Sequence, residues 1–317
     1  MLLSQPFQLN LTLILGPSVA CDLSAPSIEH CSIGLEDQHW NIEQDTVLTD
    51  VNIKCSFITG APGCLHVKPG INLVIKDSYI HCTELQRGIF LAANANLSLT
   101  NVGIYNCGGR FYHGGALRAR KANTIEMECV LFQNNAAIDG GGIYVENNST
   151  LSLKDTILYS NSAVSAYGGA IYIMKSTAKI ATSEIAKNNA SSTGGGIFAL
   201  ASDISISDSV ITLNSAGLWG GAGAFGGSFL SIFDSVINNN YANDTGGAMT
   251  LRKSNLTLSN VSMKDNIAGQ KTKENKFYCT HDQKLVSNII IVDNYLRKDL
   301  DDIFKPDNIC QVAPKTS

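Results

Sequence analysis

The glycine pairs fix what this chain can fold into. Gly114-Gly115, Gly140-Gly141, Gly168-Gly169, Gly194-Gly195, Gly220-Gly221 and Gly246-Gly247 follow one another at steps of 26, 28, 26, 26 and 26 residues. A second phrase keeps the same beat, an apolar residue followed three places later by asparagine: Leu131 with Asn134, Leu158 with Asn161, Ile185 with Asn188, Ile211 with Asn214, Ile237 with Asn240 and Met263 with Asn266. An alanine follows two places on, from Ala136 through Ala163, Ala190, Ala216 and Ala242 to Ala268. A chain that repeats itself at a fixed period is a stack of equal units, and that reading precedes any local secondary structure.

The spacing inside each unit identifies the stack. Runs such as Leu151-Ser152-Leu153, Ile204-Ser205-Ile206 and Leu256-Thr257-Leu258 alternate apolar and polar residues, which is strand spacing. No helical run of ten residues fits between successive glycine pairs. The expected fold is all-β: a right-handed, single-stranded parallel β-helix with a short C-terminal cap, its coils hydrogen-bonded about 4.8 Å apart. Ile143, Ile171, Ile197 and Met249, with Val145, Ile173, Phe225 and Leu251 two places on, form one inward wall; Leu153, Ile206, Ile232 and Leu258 form another. Thr156, Ser183, Ser209 and Ser235 form a small-residue ladder, with Cys129 below and Val261 above. The asparagines are expected to bond their amides up and down the stack at a bend.

Outside the regular array the beat weakens. Residues 1–39 read as a signal peptide or an N-terminal cap. Leu9–Leu15 suits a signal core and Ser18-Val19-Ala20 a cleavage site, but no lysine or arginine precedes Lys54 and the alternation Phe7, Leu9, Leu11, Leu13, Leu15 equally suits a strand. Residues 40–268 form the β-helix of about nine coils. Cys55, Cys82 and Cys107 take the asparagine's place in the early coils, with three readings: buried thiols acting as small hydrophobes, a disulfide between neighbouring coils, and a metal site disfavoured by the absence of histidine from that ladder. Residues 269–317 read as a last irregular coil and cap, with strands near Phe277–Cys279 and Asn288–Val292 and a short amphipathic helix through Tyr295, Leu296, Leu300, Ile303 and Phe304.

The alternating Gly-Gly and aliphatic-x-x-Asn phrases resemble the repeats of the chlamydial polymorphic outer membrane proteins, clearly over residues 114–268 and more weakly back to about residue 40. Similar right-handed β-helix repeats occur in surface and secreted proteins of protists and algae. The resemblance implies the fold and a secreted or cell-surface setting; unlike the bacterial proteins, this sequence carries no C-terminal stretch long enough for a membrane barrel.

Composition narrows the function classes. A net charge of −4 gives no electrostatic case for nucleic acid, and no run of about 20 apolar residues marks a transmembrane segment. Nine cysteines without a zinc pattern suggest disulfides in an oxidising compartment, with Cys21 and Cys31, and Cys279 and Cys310, as candidates to staple the two ends. Sequons at Asn10, Asn96, Asn147, Asn148, Asn189, Asn243, Asn255 and Asn260 fit eukaryotic secretion or arise by composition.

Pectate lyases and polygalacturonases share this scaffold, so the alternative function is a polysaccharide lyase or glycoside hydrolase. Such enzymes need clustered carboxylates, or a basic residue with calcium, in a cleft walled by long loops. Here the turns stay short and the acids are scattered; Asp155, Asp208 and Asp234 stack but suit a bend. No catalytic residue, metal or cofactor is assigned. The candidate binding surface is a stripe just after the inward isoleucines, Phe90, Arg118, Tyr144, Tyr172 and Phe198, flanked by Arg120 beside Glu146. Such a stripe would stack on sugar rings or bind a cell-surface protein, or simply stabilise the sheet by side-by-side contact. Arg110, His113, Arg118, Arg120 and Lys121 place positive charge in one coil, suited to an acidic glycan. The main expectation is a non-enzymatic extracellular protein serving in structure, adhesion or glycan contact.

Overall fold

A computed structural model describes residues 21–35, 38–56, 63–83, 86–110, 112–269, 277–279, 287–291 and 310–312. All its regular elements are strands, and every strand pairing is parallel, between one coil and the next. The strands form three sheets running along the stack, of 17, ten and six strands. The third sheet begins only at Ala136–Ala137, so the earlier coils are two-sheeted. The stack already includes Ser27–Leu35, which pairs with Thr46–Cys55, ahead of the residue-40 boundary that the repeat suggests.

The columns follow from the period. Ile143 pairs with Ile171 and Ile171 with Ile197, and all three are fully buried with Val145 and Ile173. In the next coil Gly223 takes the isoleucine place and the Phe225 ring fills the space beside it. Alternate residues of each strand therefore enter one continuous core, and a one-residue slip would turn all of them to solvent.

The glycine pair has two separate duties. Gly168 has φ +67°, a left-handed conformation open to glycine. Gly169 does not need that freedom; a Cβ there would collide with the carbonyl oxygen of Gly195 on the next coil. The first glycine makes the turn and the second admits the neighbouring backbone.

At the bends, side chains take over the bonding between coils. The backbone N–H and the Nδ2 of Asn161 both donate to Asn188 Oδ1, at 2.8 and 3.0 Å, and Asn188 does the same to Asn214 and Asn214 to Asn240. Each Nδ2 also donates to a carbonyl one coil below, as Asn214 does to Ile185 at 2.8 Å. The Thr156, Ser183, Ser209 and Ser235 ladder works likewise, each N–H donating to the next hydroxyl at 3.1 Å. A further ladder at another bend, absent from the sequence reading, joins Ser149, Ser176, Ser202, Ser228 and Ser254. A buried N–H without a partner costs about 1–3 kcal/mol, so these ladders are what makes the bends tolerable.

Three placements differ from the periodic expectation. The asparagine ladder starts at Asn135, not Asn134, because Leu131 pairs with Ile157 and Phe132 with Leu158. Doublets of apolar residues and of asparagines fit the motif in either register. Asn134 instead has φ +57° and joins the left-handed column of Ser160, Lys187 and Leu213, and the inward alanine is Ala137. Cys129 likewise lies in the left-handed column of Asp155, Asp208 and Asp234, so Val130 sits beneath Thr156.

The early cysteines do occupy the asparagine column, since the Cys107 N–H donates to Asn135 Oδ1. They are not free thiols: Cys82 is bonded to Cys107 on the neighbouring coil, and Cys55 to Cys64. Cys21 is bonded to Cys31, and among the described residues Cys129 alone is a free cysteine. Phe277–Cys279, Ser287–Ile291 and Cys310–Val312 continue the sheets. The side chains of Cys279 and Cys310, residues 1–20 and the expected helix at 295–304 lie outside the described residues.

Candidate functional site

The stripe expected from the sequence exists as a column. Phe90, Arg118, Tyr144, Tyr172 and Phe198 are consecutive partners in the ten-stranded sheet, with His66 below Phe90. Parallel register puts like positions about one strand spacing apart, which is the distance at which rings stack. Tyr144 and Tyr172 are 4.5 Å apart at 5°, Tyr172 and Phe198 5.2 Å apart at 20°, and the turn residue Tyr167 stacks on Phe198 at 4.7 Å. Arg118 interrupts the rings and lays its guanidinium over Tyr144, 5.3 Å from the centroid.

Of the two readings of the stripe, burial favours side-by-side contact at Tyr144 and Tyr172. Tyr144 is 6% exposed and Tyr172 9%. Each has a ring neighbour on the next coil, and the glycine turns run alongside, with Gly114 against Tyr144 and Gly168 against Tyr172. Burial is also the first cause that pushes both phenols up, Tyr172 to about 12, with Glu146 adding to the effect at Tyr144. These two rings form a structural column, worth about 0.5–1.5 kcal/mol per stacked pair beyond their burial.

Charged groups gather at one end of the column. Arg118 and Arg120 lie 3.5 and 3.4 Å from Glu146 Oε1, and the Tyr144 hydroxyl donates to Glu146 Oε2 at 3.2 Å. His113 Nδ1 lies 2.9 Å from Asp139 Oδ2, without aligned hydrogen-bond geometry. Arg87, one coil below Arg118, is buried; its Nε donates to the carbonyls of His113 and Gly114, and its guanidinium sits 4.9 Å from the Tyr112 ring and 5.7 Å from Phe90. Desolvation, with Arg118 adding to it, brings Arg87 down to about 9. Arg110 lines a groove of about 300 Å³ with Cys107 and Val164, where the third sheet begins.

An exposed aromatic group that the sequence reading missed lies on the flank formed by the third sheet and its following turn. Trp219 is 44% exposed, Tyr241 40% and Tyr167 38%, with Leu218 and Ile267 exposed beside them. Tyr167, Thr193, Trp219 and Thr245 are bridged in one column, which puts Tyr167 and Trp219 two coils apart, roughly 9.6 Å by the strand spacing. Tyr241 pairs directly with Ile267 in an adjacent column. The indole Nε1 donates to Asp244 Oδ2 at 3.1 Å and the Tyr241 hydroxyl to Asn243 Oδ1 at 3.2 Å, so each ring is held by a polar neighbour. The columns themselves mix residue types, Tyr167, Thr193, Trp219 and Thr245 in one and Ser162, Asn189, Ser215, Tyr241 and Ile267 in the other, so no uniform ladder marked them.

The stacked acidic residues of the array occupy a bend. Asp155, Asp208 and Asp234 stand at the left-handed bend, and Asp234 accepts from Asn260 Nδ2 at 2.7 Å. Among the described residues no group of three or more His, Cys, Asp or Glu could hold a metal ion, and no helix is long and apolar enough to cross a membrane.

No protein-family model matches the sequence, and no curated protein matches it. Among solved structures, tailspike protein 3 of bacteriophage CBA120 is similar at 11% identity and a TM-score of 0.37, a likeness that covers 93% of this chain and 55% of that one. This chain thus spans about half the length of that tailspike, and what the structure itself establishes is a parallel β-solenoid.

Proposed function

We propose that this chain is a non-enzymatic β-solenoid of the cell exterior that contacts glycans along its third-sheet flank. The observation that supports this reading most is the exposed group Tyr167, Trp219 and Tyr241, rings set at whole-coil intervals with carboxylate, amide and hydroxyl neighbours. Sugar recognition uses that pairing: apolar ring faces stack on the C–H face of a pyranose, while adjacent polar groups orient its hydroxyls. An extended chain lying along the stack would meet Tyr167 and Trp219 in turn. Disulfides at Cys21–Cys31, Cys55–Cys64 and Cys82–Cys107 favour an oxidising compartment.

Binding to a panel of neutral polysaccharides tests the reading. Wild-type protein should bind at least one extended neutral glycan, and Trp219→Ala with Tyr241→Ala should weaken that binding at least tenfold while the melting temperature stays near wild type. Equal binding by both proteins across the panel would overturn it. Release of unsaturated or reducing sugars in the same tubes would replace it with a polysaccharide-cleaving function.

A further inference from the structure

Arg118 and Arg120 meet in the column below Tyr144, and Arg87 lies one coil below Arg118. Among the described residues Glu146 is the one carboxylate that contacts Arg118 and Arg120, and a single oxygen of it serves both, at 3.5 and 3.4 Å. Charge-assisted contacts are normally 2.7–2.9 Å, and each guanidinium carries five donors in a planar fork. Glu146 Oε2 is already engaged by the Tyr144 hydroxyl, and the Nε of Arg118 is buried without a hydrogen-bond partner. Arg120 is more than half exposed and stands in front; Arg118 is mostly buried beside it, and Arg87 is one coil below. The nearby Asp139 faces His113 and also accepts the Tyr167 N–H, so it does not neutralise the arginines.

We propose that this cluster is a binding site for the anionic group of an acidic polysaccharide, a carboxylate or a sulfate ester, with Arg120 and Arg118 as the direct ligands. A planar fork matches either oxyanion in bidentate fashion. The Phe90 ring lies one coil below Arg118 in the same column and is partly exposed, so a sugar ring carrying the anion has an apolar face to rest on. The proposal rests on the glycan-contact reading above but uses different residues, so either can fail while the other stands.

The test is retention of the purified protein on immobilised polygalacturonate, heparin and neutral dextran over a salt series. Binding to one or both acidic polymers and not to dextran is expected, weakening as salt rises because the contact is partly exposed; preference for polygalacturonate or heparin identifies carboxylate or sulfate as the source. Arg118→Gln with Arg120→Gln should weaken acidic binding at least tenfold. Arg120→Gln alone, at an exposed position, should weaken it severalfold with unchanged melting and guards against misfolding of the double variant. Glu146→Gln should tighten binding severalfold, which a purely structural role for the cluster would not produce. Trp219→Ala should leave this binding intact. Indifference to polymer charge, wild-type binding by Arg120→Gln, or tighter binding of duplex DNA than of either acidic polymer would overturn the proposal.

Discussion

The coils up to Cys107 and those from Asn135 onward solve one problem at the same corner by different means. In the later coils the strand breaks at the corner, and asparagine carries the hydrogen bonds to the next storey through two donors and one shared oxygen. In the early coils the strands Thr46–Cys55 and Asn72–Cys82 run straight up to the corner, so backbone pairing persists and the side chain is free for a covalent bond. The junction is visible at Cys107, whose sulfur belongs to the disulfide below and whose N–H belongs to the asparagine above. The early half is thus held by cross-links that depend on redox conditions, and the later half by amides that do not.

Breaking the cross-links gives the largest effect. Cys82→Ser with Cys107→Ser should cost about 2–5 kcal/mol, and hydrogen exchange should show the loss in residues 27–107 while the asparagine coils stay protected. Uniform loss across both halves would mean that they unfold as one unit. Next in size is Asn214→Leu, which strands the Asn188 N–H and the donors and acceptors around it. It should cost about 3 kcal/mol, against about 1 kcal/mol for Asn147→Leu, whose cost is the left-handed backbone at φ +59°. Equal shifts in chemical denaturation would contradict the amide ladder.

A glycine pair sharpens the contrast further. Gly169→Ala forces a Cβ into the next coil's carbonyl and should cost about 2 kcal/mol, whereas Gly34→Ala in the early half meets nothing and should stay within about 0.5 kcal/mol. Acid is a separate probe of the early half. His66 lies beneath Phe90 and 3.0 Å from Asn41 Oδ1, and burial, with Lys68 adding to it, brings its imidazole down to about 4. With the folded value below the unfolded one of about 6.5, the unfolded chain binds the extra proton between the two. The His66 contribution is therefore complete above about pH 6.5 and is lost as pH falls toward about 4. The exposed His30–Asp50 pair, which raises His30, acts in the opposite direction. A melting series on His66→Gln should flatten the acid slope of the early half; an unchanged slope would assign it elsewhere.

Much of the fold was legible because a parallel stack converts sequence period directly into spatial contact: Ile143, Ile171 and Ile197 are neighbours for no other reason than their spacing. The slip between Asn134 and Asn135 shows where period runs out, since a doublet satisfies it twice and only the left-handed bend selects the register. The partner of Cys55 was not legible because Cys64 lies off the ladder, ahead of the strand Leu65–Val67. The stripe was legible as a column but not its depth, because alternation reports which side of a strand a ring leaves from and not how far its neighbours cover it. Trp219 and Tyr241 went unnoticed for another reason: their columns mix aromatic, aliphatic and polar residues, and a search for uniform ladders passes over them.

The shared Oδ1 in the asparagine ladder has a consequence for how such a chain can change over time. Every storey from Asn161 to Asn240 presents the same donors upward and the same acceptor downward, so a unit duplicated or deleted whole leaves matching ends to rejoin. The distance from the cystine base to Trp219 is then a dial with fixed clicks of about 4.8 Å, adjustable by recombination without redesigning a single contact.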